Sequence, residues 1–236
     1  MPTDTTAVTR MTLRLALQSA ATFSAGFGVP GLVDRDVERD DNGFPYLRGR
    51  ALKGLLAESA ENVVFALALQ GKEWRADKDA LFGRPGRGRA APDENGDATP
   101  APEQGILHVG DATLPRPLRT LLLQARANDT ERFSATAVFD SLTTIRRQTA
   151  MNPDGGPDHT TLRATRVLLP GVMLEAPLTF RRPPSDRQRA LLAAAVLDWR
   201  RAGTSRNRGR GLLRATLDDD ATTADLFQLF TEEIAS

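Results

Sequence analysis

Cysteine is absent from the 236-residue chain. The fold therefore uses no disulfide and no cysteine-held zinc or iron–sulfur site, and thiol nucleophile chemistry is excluded. Histidine is nearly absent too, with only His108 and His159 to serve the acid–base role that a serine hydrolase requires. His108 falls in a predicted strand, where a structural role is the favoured reading, and His159 falls near a turn-rich tip. The one Gly-Lys pair, Gly71-Lys72, is followed by Glu73 in place of the Ser or Thr that closes a phosphate loop. No apolar run approaches the roughly 20 residues that cross a bilayer, or the shorter core of a signal peptide, and Met1 to Arg10 is polar. A soluble cytoplasmic protein without membrane attachment is the expectation.

What is present suffices for a globular fold. The chain is 40% hydrophobic and 26% charged, which predicts a single domain over residues 1–236 with a substantial core. Basic and acidic residues nearly cancel, 31 against 30. Lys53, Lys72 and Lys78 are the only lysines, leaving 28 arginines. A genome-wide preference for arginine codons accounts for that excess, but not for its clustering around glycine at Arg84 to Arg89 and Arg206 to Arg210, or for the Arg146-Arg147 pair. The planar guanidinium fork grips phosphate and stacks on bases, so these clusters point to nucleic acid.

Hydrophobic periodicity gives the elements. Met11, Leu13, Leu15 and Leu17 alternate with polar residues, as do Val172 to Phe180 and Leu213 to Leu217, which predicts three half-buried strands. A fourth is expected over Ile106–Leu114. Leu52, Leu55, Leu56, Ala60, Val63 and Leu67 fall at spacings of three and four, predicting a helix from Ala51 to about Leu69. Ser185 and Gln188 form a capping-box pattern for a second long helix reaching about Ala202 and stopped by Gly203. A short final helix is expected over Thr223–Ala235. Gly83 to Gln104 has no periodicity and is read as a flexible insertion within the domain. Between Phe133 and Val167, strand-like ends flank the turn-rich Asn152 to Asp158, predicting a long protruding hairpin. The order strand–helix–strand, hairpin, strand–helix–strand is an α+β, ferredoxin-like or RNA-recognition-motif-like plan with one decorated hairpin.

Two stretches suit anion binding. Gly43 to Gly54 runs from a turn into a helix start, where Gly49, the amides near Arg50 and Ala51, and Lys53 could meet an anion together. In Gly203 to Gly211, small residues allow close approach of a phosphate backbone, while Arg206, Arg208 and Arg210 supply charge. A strained loop entering a helix and an ordinary solvated turn are the plain alternatives for these two stretches.

With these pieces assembled, the sequence resembles a RAMP-superfamily CRISPR-associated protein, most similar to the backbone subunit of type III RNA-guided effector complexes. The resemblance is carried, in order, by the aspartate-bearing loop Val33 to Asp40, the turn Gly43-Phe-Pro-Tyr46, Gly49 to Gly54 ending in Leu-Lys-Gly, Leu81-Phe-Gly83, the Gly105 to Leu114 strand with Asp111-Ala112, and the glycine-rich loop before the last strand. Where the family commonly has Pro-Gly-Ser-Ser before Leu-Lys-Gly, this chain has Arg48-Gly-Arg-Ala51. The segment Phe27 to Pro30 also lacks the family's long glycine-rich lead into the aspartate.

The resemblance implies a palm that holds guide RNA and a hairpin thumb over residues 143–165 that interrupts the guide–target duplex. It places Arg48, Gly49, Arg50, Lys53, Arg146, Arg147, Thr149, Arg206, Arg208, Gly209, Arg210 and Gly211 against RNA. It further implies cleavage of a complementary single-stranded target RNA by an aspartate of the first loop with Mg2+ or Mn2+. Asp34 matches that aspartate, as catalytic residue and metal ligand, with Asp36 as competitor one alternation away. The partners implied are guide RNA, target RNA, other CRISPR effector subunits and further copies of the chain along the guide. A non-catalytic structural or capping subunit, and a processing endoribonuclease for precursor guide RNA that uses His159, are the alternatives within the superfamily. A small-molecule enzyme or regulatory domain on the same fold is the alternative without nucleic acid.

Overall fold

The computed structural model describes residues 9–24, 26, 28–84, 103–149 and 162–235. In chain order these form β1 (Arg10–Leu17), α1 (Gly49–Ala68), α2 (Arg75–Phe82), β2 (Gly83–Arg84), β3 (Glu103–Gln104), β4 (Leu107–Val109), α3 (Arg116–Asn128), α4 (Ala135–Leu142), β5 (Thr143–Gln148), β6 (Arg163–Leu168), β7 (Met173–Phe180), α5 (Asp186–Asp198), β8 (Leu213–Leu217) and α6 (Asp220–Ala235).

The main sheet has the order β4-β7-β1-β8, and every neighbouring pair is antiparallel. Alternation in β1 sets its register, with Leu13 opposite Ala176 and Leu15 opposite both Leu174 and Ala215, all buried. A one-residue slip would send this whole set to the solvent face. Helices α1 and α5 each cross between strands that are not neighbours, so two β–α–β units interleave in one antiparallel sheet. Both pack into the same core. Leu52, Leu56, Ala60, Val64 and Leu67 form the buried stripe of α1, each fully covered leucine contributing about 2 kcal/mol. Helix α5 is buried on every side over Ala190–Val196, between α1, α6 and the sheet. Its expected capping box is formed, with Ser185 Oγ accepting the Gln188 amide at 3.2 Å and Gln188 Oε1 accepting the Ser185 amide at 3.1 Å.

Several expectations need correction. Helix α1 begins at Gly49, two residues early, with Arg48 at its N-cap. Helix α5 ends at Asp198, and Gly203 serves instead in the following loop, where its φ of +88° lets the backbone lie against the Thr22 carbonyl. Only Leu107–Val109 of the expected Ile106–Leu114 strand is regular, because Ala112 turns away to pair with Leu47. Helices α2, α3 and α4 were not expected. The third occupies the start of the stretch read as hairpin, its Ser134 cap accepting the Ala137 amide at 3.2 Å. The hairpin root is present as the antiparallel pair β5–β6, from Thr143 opposite Leu168 to Gln148 opposite Arg163. Its expected tip, with Asn152 to Asp158 and His159, lies outside the described residues, as do Arg87 and Arg89 and most of the expected 83–104 insertion. Among the described residues no helix is long and apolar enough to cross a membrane.

Candidate nucleic-acid interface

The sheet face opposite the helices displays Thr12, Arg14, Ala16, Glu175, Thr179 and Thr216. No phenylalanine, tyrosine or tryptophan is among the described residues of that face, where His108, opposite Thr179 and exposed, is the imidazole. RNA-recognition motifs stack bases on aromatics at this place. Here Arg14 is instead paired with Glu175 at 3.2 Å, so the basic surface must be sought elsewhere.

It lies between the hairpin root and the glycine-rich loop. Arg146 and Arg147 from β5 and Arg208, Gly209 and Arg210 from the loop line one open cleft of about 630 Å³, together with Ser19, Ala20, Thr144 and Gln148. No acidic residue lines it. The loop is held in place by the end of β1: Ser19 Oγ accepts the Leu212 amide at 2.9 Å and donates to the Gly209 carbonyl at 3.3 Å. Gly211, at φ +70°, passes so close to the Ala202 carbonyl that any side chain there would overlap it. None of the four guanidinium groups has a hydrogen-bond or ion-pair partner among the described residues. That of Arg210 is largely buried, and burial, followed by the nearby Arg146 charge, pushes its pKa below the ordinary arginine value. Four unneutralised cations around a concave surface have the charge and geometry that suit a phosphate group. Thr149 follows β5 and is exposed beyond the cleft.

A second cleft of about 830 Å³ lies along α1, lined by Arg50, Lys53, Gly54, Glu58 and Arg181 among others. Lys53 Nζ donates to the Leu107 carbonyl at 2.8 Å. Burial, and then the Arg181 charge, lowers its pKa. Arg181 was missed in the sequence, although the Arg181-Arg182 pair was a visible signal. Glu58, on the wall of this second cleft, takes a two-pronged pair from Arg206 of the glycine-rich loop at 3.0 Å and 3.0 Å. Arg206 therefore anchors the glycine-rich loop to α1 and is not a free phosphate ligand.

Two further expectations change because the groups already have partners. The amide of Gly49, expected to greet an external anion, already donates to Asp111 Oδ1 at 2.7 Å. The chain supplies its own carboxylate at that helix start. Gly49 is a glycine for packing, since a Cβ there would overlap the Val109 carbonyl oxygen. Arg48 is paired with Glu38, whose carboxyl the Arg48 hydrogen bond holds below the usual range.

The two candidate aspartates part company. Asp36 is 6% exposed and faces Arg166, with Arg166 Nε 3.1 Å from Asp36 Oδ1. Asp34 is exposed at the edge of β6, its amide donating to the Ala164 carbonyl at 2.8 Å and its Oδ2 accepting the Ala164 amide at 2.7 Å. Only Asp34 is placed to meet a ligand. No cluster of three carboxylate or imidazole side chains occurs among the described residues. Asp34 offers one carboxylate, with one oxygen already engaged.

A family model of the RAMP superfamily matches residues 7–214. The fold is shared with a chain of a type III-B Cmr-beta complex in its apo state, at a TM-score of 0.58 and 11% identity, covering 91% of this chain and 99% of that one. It is shared equally with a chain of a type III-B Cmr-beta complex bound to cognate target RNA, at a TM-score of 0.59 and 9% identity, covering 92% and 98%. Such identities speak for the fold alone. No curated protein matches the sequence. With a family model spanning most of its length, the chain belongs to the RAMP superfamily.

Proposed function

We propose that this chain is a guide-RNA-binding backbone subunit of a type III CRISPR effector complex, and that it cleaves the complementary target RNA at the hairpin root through Asp34. The convergence of Arg146, Arg147, Arg208 and Arg210 on one acid-free cleft carries this reading. Hairpin root and glycine-rich loop are separated by some sixty residues of sequence, yet they line one cleft. The fold likeness to chains of Cmr-beta complexes, one of them bound to target RNA, supports the same assignment. In this role the protein recognises backbone charge and shape, while base pairing with the guide selects the target. Neighbouring effector subunits and further copies of this chain are its partners.

Cleavage is assigned to Asp34 because its carboxylate is exposed beside the hairpin that would splay the duplex. A carboxylate in that place accepts the proton of a target 2′-hydroxyl and so activates it toward the adjoining phosphate.

The test is to co-purify the protein with the products of its neighbouring genes, extract bound RNA, and present a complementary labelled RNA with Mg2+ or with Mn2+. Short guide RNA in the complex, and cuts that disappear in Asp34→Ala while target binding persists, are expected. Guide RNA with no cutting by the wild type would make the subunit a scaffold. Absence of bound RNA at low salt would overturn the assignment altogether.

A further inference from the structure

The hairpin root places one arginine where a lone carboxylate needs help. Both backbone polar groups of Ala164 are turned toward Asp34, which takes its amide on Oδ2 and gives its own amide to the Ala164 carbonyl. They are therefore turned away from β5, where the residue opposite Ala164 is Arg147. Such a non-hydrogen-bonded pair brings its Cα atoms to about 4.5 Å and its side chains onto the same face of the ribbon. Directly opposed residues of an antiparallel pair project from the same face, so the Arg147 side chain leaves the ribbon beside the Ala164 methyl, while the Asp34 carboxylate is held at the other edge of Ala164 by its amide. Ala164, itself part-exposed, is thus bonded to Asp34 on one edge and faces Arg147 on the other, and both charged residues are exposed. Neither charged group is spent on an ion pair among the described residues, and Arg147 also lines the basic cleft.

We propose that Arg147 is a second catalytic residue, its guanidinium holding the scissile phosphate of the target over Ala164 while Asp34 receives the proton of the adjacent 2′-hydroxyl. The inference rests on the cleavage reading above. In the step, the 2′-oxygen forms a bond to phosphorus, its proton passes to the Asp34 carboxylate, and the bond from phosphorus to the 5′-oxygen breaks. The departing 5′-oxygen takes a proton from water, leaving a 2′,3′-cyclic phosphate and a 5′-hydroxyl. Two negative charges would otherwise build on the non-bridging oxygens with only a carboxylate nearby. A bidentate guanidinium is suited to that charge.

The experiment uses the complex purified with its guide and neighbouring subunits, at matched guide occupancy. It compares wild type with Arg147→Ala, Arg147→Lys, Asp34→Asn and Arg163→Ala. Arg163 is an exposed arginine on the opposite face of the same ribbon and controls for loss of one positive charge. Single-turnover cleavage of a labelled complementary RNA at saturating complex is measured across pH, with target affinity measured separately. Removal of one such group is expected to slow cleavage about 100-fold in Arg147→Ala. Target affinity in that variant should change less than tenfold, Arg147→Lys should restore part of the rate, and Arg163→Ala should cut at the wild-type rate. Asp34→Asn should not cut. A wild type that cuts, with Arg147→Ala within threefold of Arg163→Ala, overturns this inference and leaves the cleavage reading standing. A guide-loaded wild type that makes no cut overturns both.

Discussion

Arg166 and Asp36 meet in the interior, Nε to Oδ1 at 3.1 Å, with both side chains about one-tenth exposed. The approach is not aligned as a hydrogen bond, so charge holds the pair. The same guanidinium donates to Asp140 at 2.8 Å and lies over the Phe139 ring at 5.0 Å. This arrangement ties the first loop, the hairpin root and α4 together.

Removing one partner of a buried pair strands the other charge. Asp36→Ala is expected to cost about 3 kcal/mol of stability, the lower end for such pairs because Asp140 still compensates Arg166. Asp34→Ala, which loses a single exposed hydrogen bond, should cost about 1 kcal/mol or less. Urea denaturation of the two variants checks the contrast. A larger loss in Asp34→Ala would mean that the two aspartates have exchanged roles, and equal losses would show that the Arg166 pair adds nothing.

Helix α1 contains its own control for the packing of Gly49. A Cβ at Gly49 would meet the Val109 and Gly110 backbone, which has no side-chain freedom to yield, whereas a Cβ at Gly54 meets nothing within 4 Å. Gly49→Ala should therefore destabilise by about 1–3 kcal/mol, as overpacking does. Gly54→Ala should stabilise by about 0.5–1 kcal/mol by removing a helix-interior glycine. Thermal unfolding of both variants, with opposite shifts of the midpoint, is the check.

The scaffold was legible where local pattern and burial agree. Alternation gave β1, β7 and β8, the leucine stripe gave α1, and Ser185 with Gln188 gave the start of α5. Helix α3 was hidden because no residue of it is fully buried: Leu122 packs on the core in part, and Arg126 bonds the Phe133 and Asn42 carbonyls. Its Pro115 and Pro117 were the usable signal. The arginine clusters were also visible, but their meeting in one cleft depends on a contact of the loop with Ser19, which no local pattern encodes. The choice between Asp34 and Asp36 likewise depends on a partner 130 residues away, Arg166.

The paired and unpaired arginines should separate in salt dependence. Each phosphate contact on single-stranded RNA contributes about 0.7 to the slope of log affinity against log salt. Arg146→Ala, Arg208→Ala and Arg210→Ala should each flatten the slope by about that amount. Arg206→Ala should leave it nearly unchanged because Glu58 already neutralises Arg206, and Glu58→Gln should steepen it by freeing that guanidinium. Titration of guide RNA over a range of salt concentrations decides this, and a flattened slope in Arg206→Ala would place that residue on the RNA.

Lys53 gives the pH dependence its sign. Burial first, and Arg181 second, lower its pKa in the folded protein below the ordinary lysine value of 10.5. Between the folded and unfolded values the unfolded chain binds more protons, so this group makes the protein more stable as pH rises through that window. Below the folded value the cost of carrying the charge in the cleft is fully present. A phosphate in the second cleft would favour the charged amine and raise its pKa again. RNA affinity should therefore fall as pH rises through the alkaline range, beginning below 10.5, and Lys53→Met should bind more weakly without that decline. Binding measured at fixed ionic strength in wild type and Lys53→Met tests the second cleft directly, since identical alkaline profiles would remove Lys53 from the RNA path and leave the cleft at the hairpin root as the sole guide site among the described residues.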